Sequence, residues 1–469
     1  MSSNVTGAKR NGRAVCPAGY GGNVPQTVAP AARPSHAREI LRLAVPAFGA
    51  LIAEPLFLLA DSAIVGHLGV NQLAGVGLAS TLLHTAVGLM VFLAYSTTPA
   101  VARAIGDGKL TKALAAGRDG VWLALLLGAA LAVAGFVAAG PLVDLFGAGG
   151  EVRGFAVDYL RWSMPGLIAM LLIFAGTGVL RGLQDTRTPL VVATAGFALN
   201  IALNWILVYG LNFSVAGSAL GTSIAQWAMA AVYLVMVGRN ARRHGVSLRP
   251  DWRGIRTMTT VGSWLMLRTL SLRLAILATV LVATSQGAVN LAAHQLTMTI
   301  FSFLAFALDA LAIAAQALIG KELGAARPAE ARELTRTMIR WGLGFGVVTG
   351  ALLAVAAPWT GLLFTSDGAV QSALTGALWI LAAGQPLAGF VFVLDGVLIG
   401  AGDARYLAIA GVVNLAFYLP LLAAVHLTRP EGAAGLLWLW AAFGLGYMLA
   451  RGVTLGVRSR NDKWMVLGS

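Results

Sequence analysis

Long stretches without a single Asp, Glu, Lys or Arg dominate the chain. None occurs from Ser62 to Ala102, Gly120 to Val143, Trp162 to Leu180, Thr188 to Gly238 or Leu274 to Leu308. Further charge-free stretches cover Trp341–Ser366, Gly368–Leu394, Tyr406–Thr428 and Gly432–Ala450. About 20 apolar residues of helix cross a bilayer core of ~30 Å, and nearly every run is that long. The runs are continuous rather than alternating with period two, which excludes an outer-membrane barrel and leaves helices. Breakers within and between the runs give twelve predicted spans: 41–66, 73–101, 119–140, 156–180, 189–210, 215–238, 258–284, 291–319, 336–357, 374–400, 406–427 and 433–456.

Polar positions gather between these spans, mostly on one side. Arg103, Lys109, Lys112 and Arg118, then Arg181 and Arg187, then Arg239 to Arg256, Lys321 to Arg336 and Arg405 fall in alternate connections. The opposite connections hold little beyond Arg153 and Arg429, so both termini, the last with Arg451, Arg458 and Arg460, are expected in the cytoplasm. Composition agrees: 58% of the 469 residues are hydrophobic and 11% charged, against roughly 25% charged in soluble domains. The net charge of +14 then reflects basic cytoplasmic loops, and no nucleic acid partner is needed to explain it. The single cysteine, Cys16, permits no internal disulfide and has no metal-site companions. Residues 1–38, rich in Gly, Pro and Ala, read as a disordered cytoplasmic tail.

The chain repeats across its middle. "GVLRGLQDTR" at 178–187 matches "GVLIGAGDAR" at 396–405 at an offset of 218, which also lays "GVNQLAG" at 69–75 over "GAVNLAA" at 287–293 and Asp61 over Thr279. Halves with an even number of spans run the same way, a parallel repeat. The expected organisation is an N-terminal six-helix bundle over 39–238, a basic linker over 239–257, a C-terminal bundle over 258–457 and a tail from 458 to 469. Such facing halves suit a transporter.

Six ionisable groups lie well inside the predicted spans: Glu54, Asp61, Arg268, Arg273, Asp309 and Asp395. Each costs roughly 2.5–3.5 kcal/mol at mid-helix, so each needs a wet cavity or a partner. Glu54 and Asp61 are seven residues apart, on one helix face and ~10 Å apart along the axis. Either they serve a coupling ion, or Glu54 pairs with an arginine and Asp61 caps a broken helix. Pro55 removes one backbone donor beside Glu54. Asn200 and Asn204, at i and i+4, can coordinate a cation, bind a neighbouring carboxylate, or join helices by hydrogen bonds. Asp309 and Gln316 repeat the seven-residue spacing in the eighth span, and Arg268 and Arg273 are positioned to neutralise Asp309 or Asp395. His67, His84, His294 and His426 stand singly and read as structural. No metal-ligand spacing, P-loop or catalytic triad order is present, so neither ATP-driven transport nor an enzyme is indicated, and no cofactor is expected.

Several of these segments carry a family resemblance. "LLADSAIVGHLGVNQLAGVGLA", "VLRGLQDTRTPL", "NIALNWILVYG", "FALDALAIAAQALIG" and "LDGVLIGAGDAR" resemble, in order, signatures of the multidrug and toxic compound extrusion (MATE) transporters, the last two those of the DinF-like branch. The resemblance covers about residues 38–457. It implies an all-α fold of twelve transmembrane helices, two parallel six-helix bundles forming a V around a central cavity. It implies export of organic compounds, cationic or amphipathic, against inward flow of protons or sodium ions. By the same resemblance Asp61 matches the coupling aspartate of the first span and Asn200 its fifth-span partner. Asp395 matches the tenth-span acid, and Arg268 an arginine of DinF-like seventh spans. Two positions depart: Asn204 stands where many members have aspartate, and Gln316 where many DinF-like chains have an acid. Loss of a carboxylate at 204 weakens a sodium site and favours protons.

The expected mechanism is therefore alternating access in which Asp61 takes a proton from outside, changes its hydrogen bonds to Asn200 and Glu54, and moves the first bundle. Glu54, Asn204, Asp309, Gln316, Asp395 and Arg268 complete the expected coupling and cavity groups. The implied partners are small organic substrates and the lipid bilayer, with the protein acting as a monomer in the cell (inner) membrane. Alternatives are a sodium-coupled exporter, or a flippase for lipid-linked oligosaccharides, which should line its cavity with several arginines.

Overall fold

The computed structural model describes residues 36–428 and 432–468, apart from the side chains of Glu54, Phe57, Leu58, Leu59 and Ser62. Most of the tail expected over 1–38 lies outside the described residues, and helix α1 begins at His36. Twelve long helices follow one another among the described residues: α1 (His36–Gly66), α2 (Val70–Gly106), α3 (Leu110–Leu145), α4 (Gly150–Gly182), α5 (Arg187–Gly210), α6 (Ser214–Arg243), α7 (Trp252–Ser285), α8 (Ala288–Gly324), α9 (Pro328–Leu363), α10 (Gly368–Gly400), α11 (Ala404–Thr428) and α12 (Ala433–Arg460). All but α1, which is 31 residues long, are apolar and long enough over their described residues to count as spans. Most exceed the predicted limits because their polar ends continue the same hydrogen-bonded ladder beyond the apolar run. The chain is an all-helical, multi-pass membrane protein of two six-helix bundles.

Within the halves, α4 and α10 occupy the centres, each with 61% of its most apolar window buried. α4 packs on α2, α3 and α6; α10 packs on α8, α9 and α12. Small residues make this possible. Gly342, Gly346 and Gly350 of α9 lie so close to the α10 backbone that a Cβ on any of them would come within 2.6 Å of a carbonyl oxygen. Membrane helices gain little from hydrophobic burial against lipid, so such close backbone packing supplies much of the cohesion.

The 218-residue repeat is visible in the turns. Gly69 and Gly287, Gly108 and Ala326, and Gln184 and Gly402 are three pairs at that offset, and all six have positive φ. In the third pair the following aspartate amide closes the turn in both halves, Asp185 N on Leu180 O at 2.8 Å and Asp403 N on Leu398 O at 3.0 Å. A glutamine is strained at the position where its counterpart is glycine. Its side chain has a use there: Gln184 Nε2 donates to Ala317 O at 2.9 Å, joining the first half to α8 of the second.

That bond belongs to a seam on the side of the termini. Arg103, near the end of α2, donates to Ala401 O at 2.8 Å, Val466 O at 2.6 Å and Gly468 O at 2.8 Å. Trp122 Nε1 donates to Leu248 O at 2.9 Å. Asp119 lies over the start of α7, where a Cβ on Gly254 would be 2.0 Å from Oδ2, a favourable place for a carboxylate against the helix dipole. α2 and α8 also cross backbone to backbone: a Cβ on Gly324 would meet Arg103 O at 2.0 Å, and one on Gly106 would meet Lys321 O at 1.9 Å. Farther inward, Ala47 of α1 packs on Ala310 and Ile313 of α8.

Gly324→Val cannot keep this crossing. Overpacking of this kind costs ~1–3 kcal/mol, which is about five- to 160-fold in a two-state population. The expected result is a longer distance between spin labels at Lys109 and Arg336, one in each half on the terminal side. An unchanged distance distribution would show that the crossing tolerates a side chain.

Candidate functional site

The first half assembles a polar cluster from three helices. Asp61 of α1 is 7% exposed, Asn204 of α5 and Ser218 of α6 are fully buried, and Asn200 is 2% exposed. Asn204 Nδ2 donates to Asp61 Oδ1 at 2.7 Å and to Asn200 Oδ1 at 3.0 Å. Ser218 Oγ donates to the same Asp61 oxygen at 2.8 Å, and Asn200 Nδ2 donates to Thr222 Oγ1 at 2.9 Å. The i, i+4 pair thus faces one way, but Asn204, not Asn200, touches the carboxylate directly. Tyr159 of α4 stands behind, its hydroxyl beside Ser80, Ser218 and Asp61.

The local backbone is shaped for this contact. Gly221 lets α6 press onto Asn204, where a Cβ would lie 2.2 Å from Oδ1. Just after Asn204, α5 widens into a π-helical turn, Ile206–Gly210. Such turns recur at functional sites because they re-aim side chains on either side. Tyr209 in that turn donates to Ile64 O at 2.5 Å, tying the widened end back to α1. Asn204 Oδ1 has no hydrogen-bond partner among the described residues.

The arrangement suits a proton. An ionised Asp61 accepts from two donors, while a protonated Asp61 becomes a donor and needs an acceptor. Asn204 can supply one by turning its amide, because its oxygen is idle in the present arrangement. Glu54 stands on α1, but its side chain lies outside the described residues.

The second half repeats the site without its charge. At the offset of 218, Asp61, Asn200, Asn204, Ser218 and Gly221 correspond to Thr279, Tyr418, Leu422, Leu436 and Leu439. Thr279 Oγ1 and Tyr418 OH form a 2.6 Å hydrogen bond, so the contact between the equivalent helices survives as a neutral pair. All five are at most 3% exposed, and Tyr418 packs edge-on against Phe443. α12 has its own π-helical turn here, Ala441–Tyr447. The pseudo-symmetric position is a packed core, which leaves the first half with the titratable version.

A second cluster joins α7, α10 and α12. Arg268 Nε donates to Asp395 Oδ1 at 3.1 Å, and its Nη2 pairs with Asp395 Oδ2. Arg451 Nη2 donates to the same Oδ2 at 3.3 Å. The sequence reading counts Arg451 among the terminal basic residues. It is instead buried inside α12, at 8% exposure. A cavity of about 20 Å³, room for one water, lies beside these groups and Asn414 and Tyr447. Asp309 of α8 is half-buried, within electrostatic reach of Arg181, Arg268 and Arg451. Gln316, on the same helix, is buried where Gly400 of α10 lies against its backbone, and its Oε1 has no partner among the described residues.

Sequence reasoning missed Ser218, Thr222, Arg181 and Arg451. The first two form a stripe of small polar residues at helical spacing with Gly221 in "GSALGTS", a signal present at 217–223. The arginines sit near helix ends, where loop charge and interior charge look alike. Among the described residues, no three His, Cys, Asp or Glu side chains gather closely enough to hold a metal ion.

Comparison with known proteins places this geometry in context. A family model described as MatE matches residues 46–206 and 265–423. The chain is 30% identical over 451 residues to protein DETOXIFICATION 44, chloroplastic, of Arabidopsis thaliana, covering 92% of this chain and 84% of that one. It is 31% identical over 445 residues to DNA damage-inducible protein F of Escherichia coli strain K12, covering 91% and 94%. A crystal structure of a mutant of the Vibrio cholerae MATE transporter VcmN superposes with a TM-score of 0.81 at 23% identity, covering 92% of this chain and 98% of that one. At that identity the superposition speaks to the fold alone.

Proposed function

Because the chain belongs to the MatE family of multidrug transporters, we propose that it is an antiporter that exports amphipathic organic compounds in exchange for protons. Asp61 carries the proton. The observation that supports this most is the setting of Asp61: among the described residues it is the one carboxylate in a buried cluster of neutral donors, with an idle amide oxygen beside it.

The excess of Lys and Arg on the terminal side orients that side to the cytoplasm of the cell membrane. The seam at Arg103, Gly106 and Gly324 then closes the cytoplasmic side, as in an outward-facing state. Proton uptake by Asp61 removes a buried charge, reverses its hydrogen bond to Asn204, and changes how α1 sits on α5 and α6. α1 also packs on α8 near Ala47, so its movement reaches the seam. A single chain contains both halves and the whole cluster, so a monomer suffices.

Export from proteoliposomes with a proton or a sodium gradient imposed singly tests the reading. The proton gradient alone is expected to drive efflux of ethidium or of an anionic dye such as fluorescein. Efflux driven by sodium alone would overturn proton coupling.

A further inference from the structure

The space between the halves carries more positive than negative charge. Four arginines come from α4, α7 and α12: Arg181, Arg268, Arg273 and Arg451. Around the Tyr95 hydroxyl of α2, Arg181, Arg268, Arg273 and Asp309 are all within electrostatic reach. Asp395 engages both Arg268 and Arg451. Among the described residues, four guanidinium groups thus stand against two carboxylates here. Asp61 and Asn204 belong to the other cluster, inside the first half.

Arg181 and Arg273 make no side-chain hydrogen bond or ion pair among the described residues. Arg273 does not point to lipid: a Cβ on Gly88 of α2 would meet its Nη2 at 2.5 Å, so the guanidinium lies across the seam against the opposite half. His84, one turn from Gly88 on α2, also feels Arg273. Arg273 is exposed, so its guanidinium is open to a ligand, and an intramembrane ionisable group without a hydrogen-bonded partner marks a substrate path.

We propose that the Tyr95-centred arginines bind the oxyanion of an amphipathic organic anion, a carboxylate, sulfonate or phosphate on an apolar body. Guanidinium groups match such oxyanions with paired N–H donors, and Tyr95 adds a neutral hydroxyl. The helices around them are apolar through mid-depth, which suits the body of such a compound. This rests on the chain being an exporter, but it reverses the charge sign of the cationic substrates that the family resemblance implies. Asp309 keeps the pocket from full positive charge, which lets the anion leave again.

Equilibrium binding separates this from proton coupling, because it needs no gradient. Fluorescence anisotropy of fluorescein and of ethidium would be measured with the purified full chain in lipid nanodiscs. The site predicts that fluorescein binds at least about tenfold tighter than ethidium, a factor worth ~1.4 kcal/mol. Arg273→Gln and Arg181→Gln should each weaken fluorescein about tenfold, and Arg273→Lys should lose less. Arg242→Gln, at an exposed position near the end of α6, should bind fluorescein as the parent does, which separates loss of the pocket from a general loss of positive charge. Displacement by benzoate identifies a free organic anion, and displacement by phosphatidic acid alone identifies a lipid headgroup; either supports the oxyanion pocket. Ethidium binding as tightly as fluorescein to the parent chain would overturn it, whether or not the variants fold. So would Arg→Gln variants that fold and bind fluorescein undiminished.

Discussion

Asp395→Ala is expected to destabilise the folded protein by about 3 kcal/mol or more, read as a lowered denaturation midpoint in detergent. The loss of one salt bridge is the smaller part. Asp395 is the shared counter-ion of Arg268, which is part-buried, and Arg451, which is buried, between α7, α10 and α12. Removing it leaves two guanidinium groups facing each other in a space with room for one water. Arg451 keeps a cation–π contact with Phe392, at 5.9 Å from the ring, but that is worth ~1–2 kcal/mol at most. Adding Arg268→Met to Asp395→Ala should recover part of the loss, since a buried pair is costly mainly when half-removed. A midpoint unchanged in the single variant would mean that water or another group already compensates the arginines.

Asp61→Asn is expected to leave the protein folded and to reduce proton-driven export to the rate of empty vesicles. The asparagine oxygen keeps the hydrogen bonds from Ser218 and Asn204, and one buried charge disappears, so stability should hold or rise slightly. Coupling should vanish because nothing else among the described side chains of that cluster titrates: Asn200, Asn204, Ser218 and Thr222 are all neutral. In the parent chain, export should rise as the side opposite the termini is acidified, since that loads Asp61. In the variant, export should not respond to pH there. Uphill export by a properly inserted Asp61→Asn protein would move the proton site elsewhere, with Asp309 the next candidate.

Much of this was legible in residues. Charge-free runs announced the spans because a bilayer tolerates little else, and the 218-residue offset already placed Thr279 under Asp61. Extending that offset to Tyr418 required seeing the Thr279–Tyr418 hydrogen bond, since tyrosine and asparagine share no obvious chemistry. Spacing put Asn200 and Asn204 on one face but left open which one reaches Asp61, a choice made by the depth of α1 against α5. Arg451 and Arg181 escaped because a basic residue near a helix end reads as loop charge. Only packing shows that α12 carries Arg451 inward to Asp395 and that α4 ends beside Tyr95. The glycine crossing at Gly106 and Gly324 was hidden for the same reason: many glycines line the spans, and contact alone distinguishes these two.

The central claim is that substrate leaves as protons enter through Asp61. Lightly buffered proteoliposomes carrying a trapped pH dye and preloaded substrate measure both fluxes at once. The account predicts substrate-dependent proton movement opposite to efflux in the parent chain, and neither flux above background in Asp61→Asn. Equal proton movement in the variant, or efflux without proton movement in the parent chain, would contradict it.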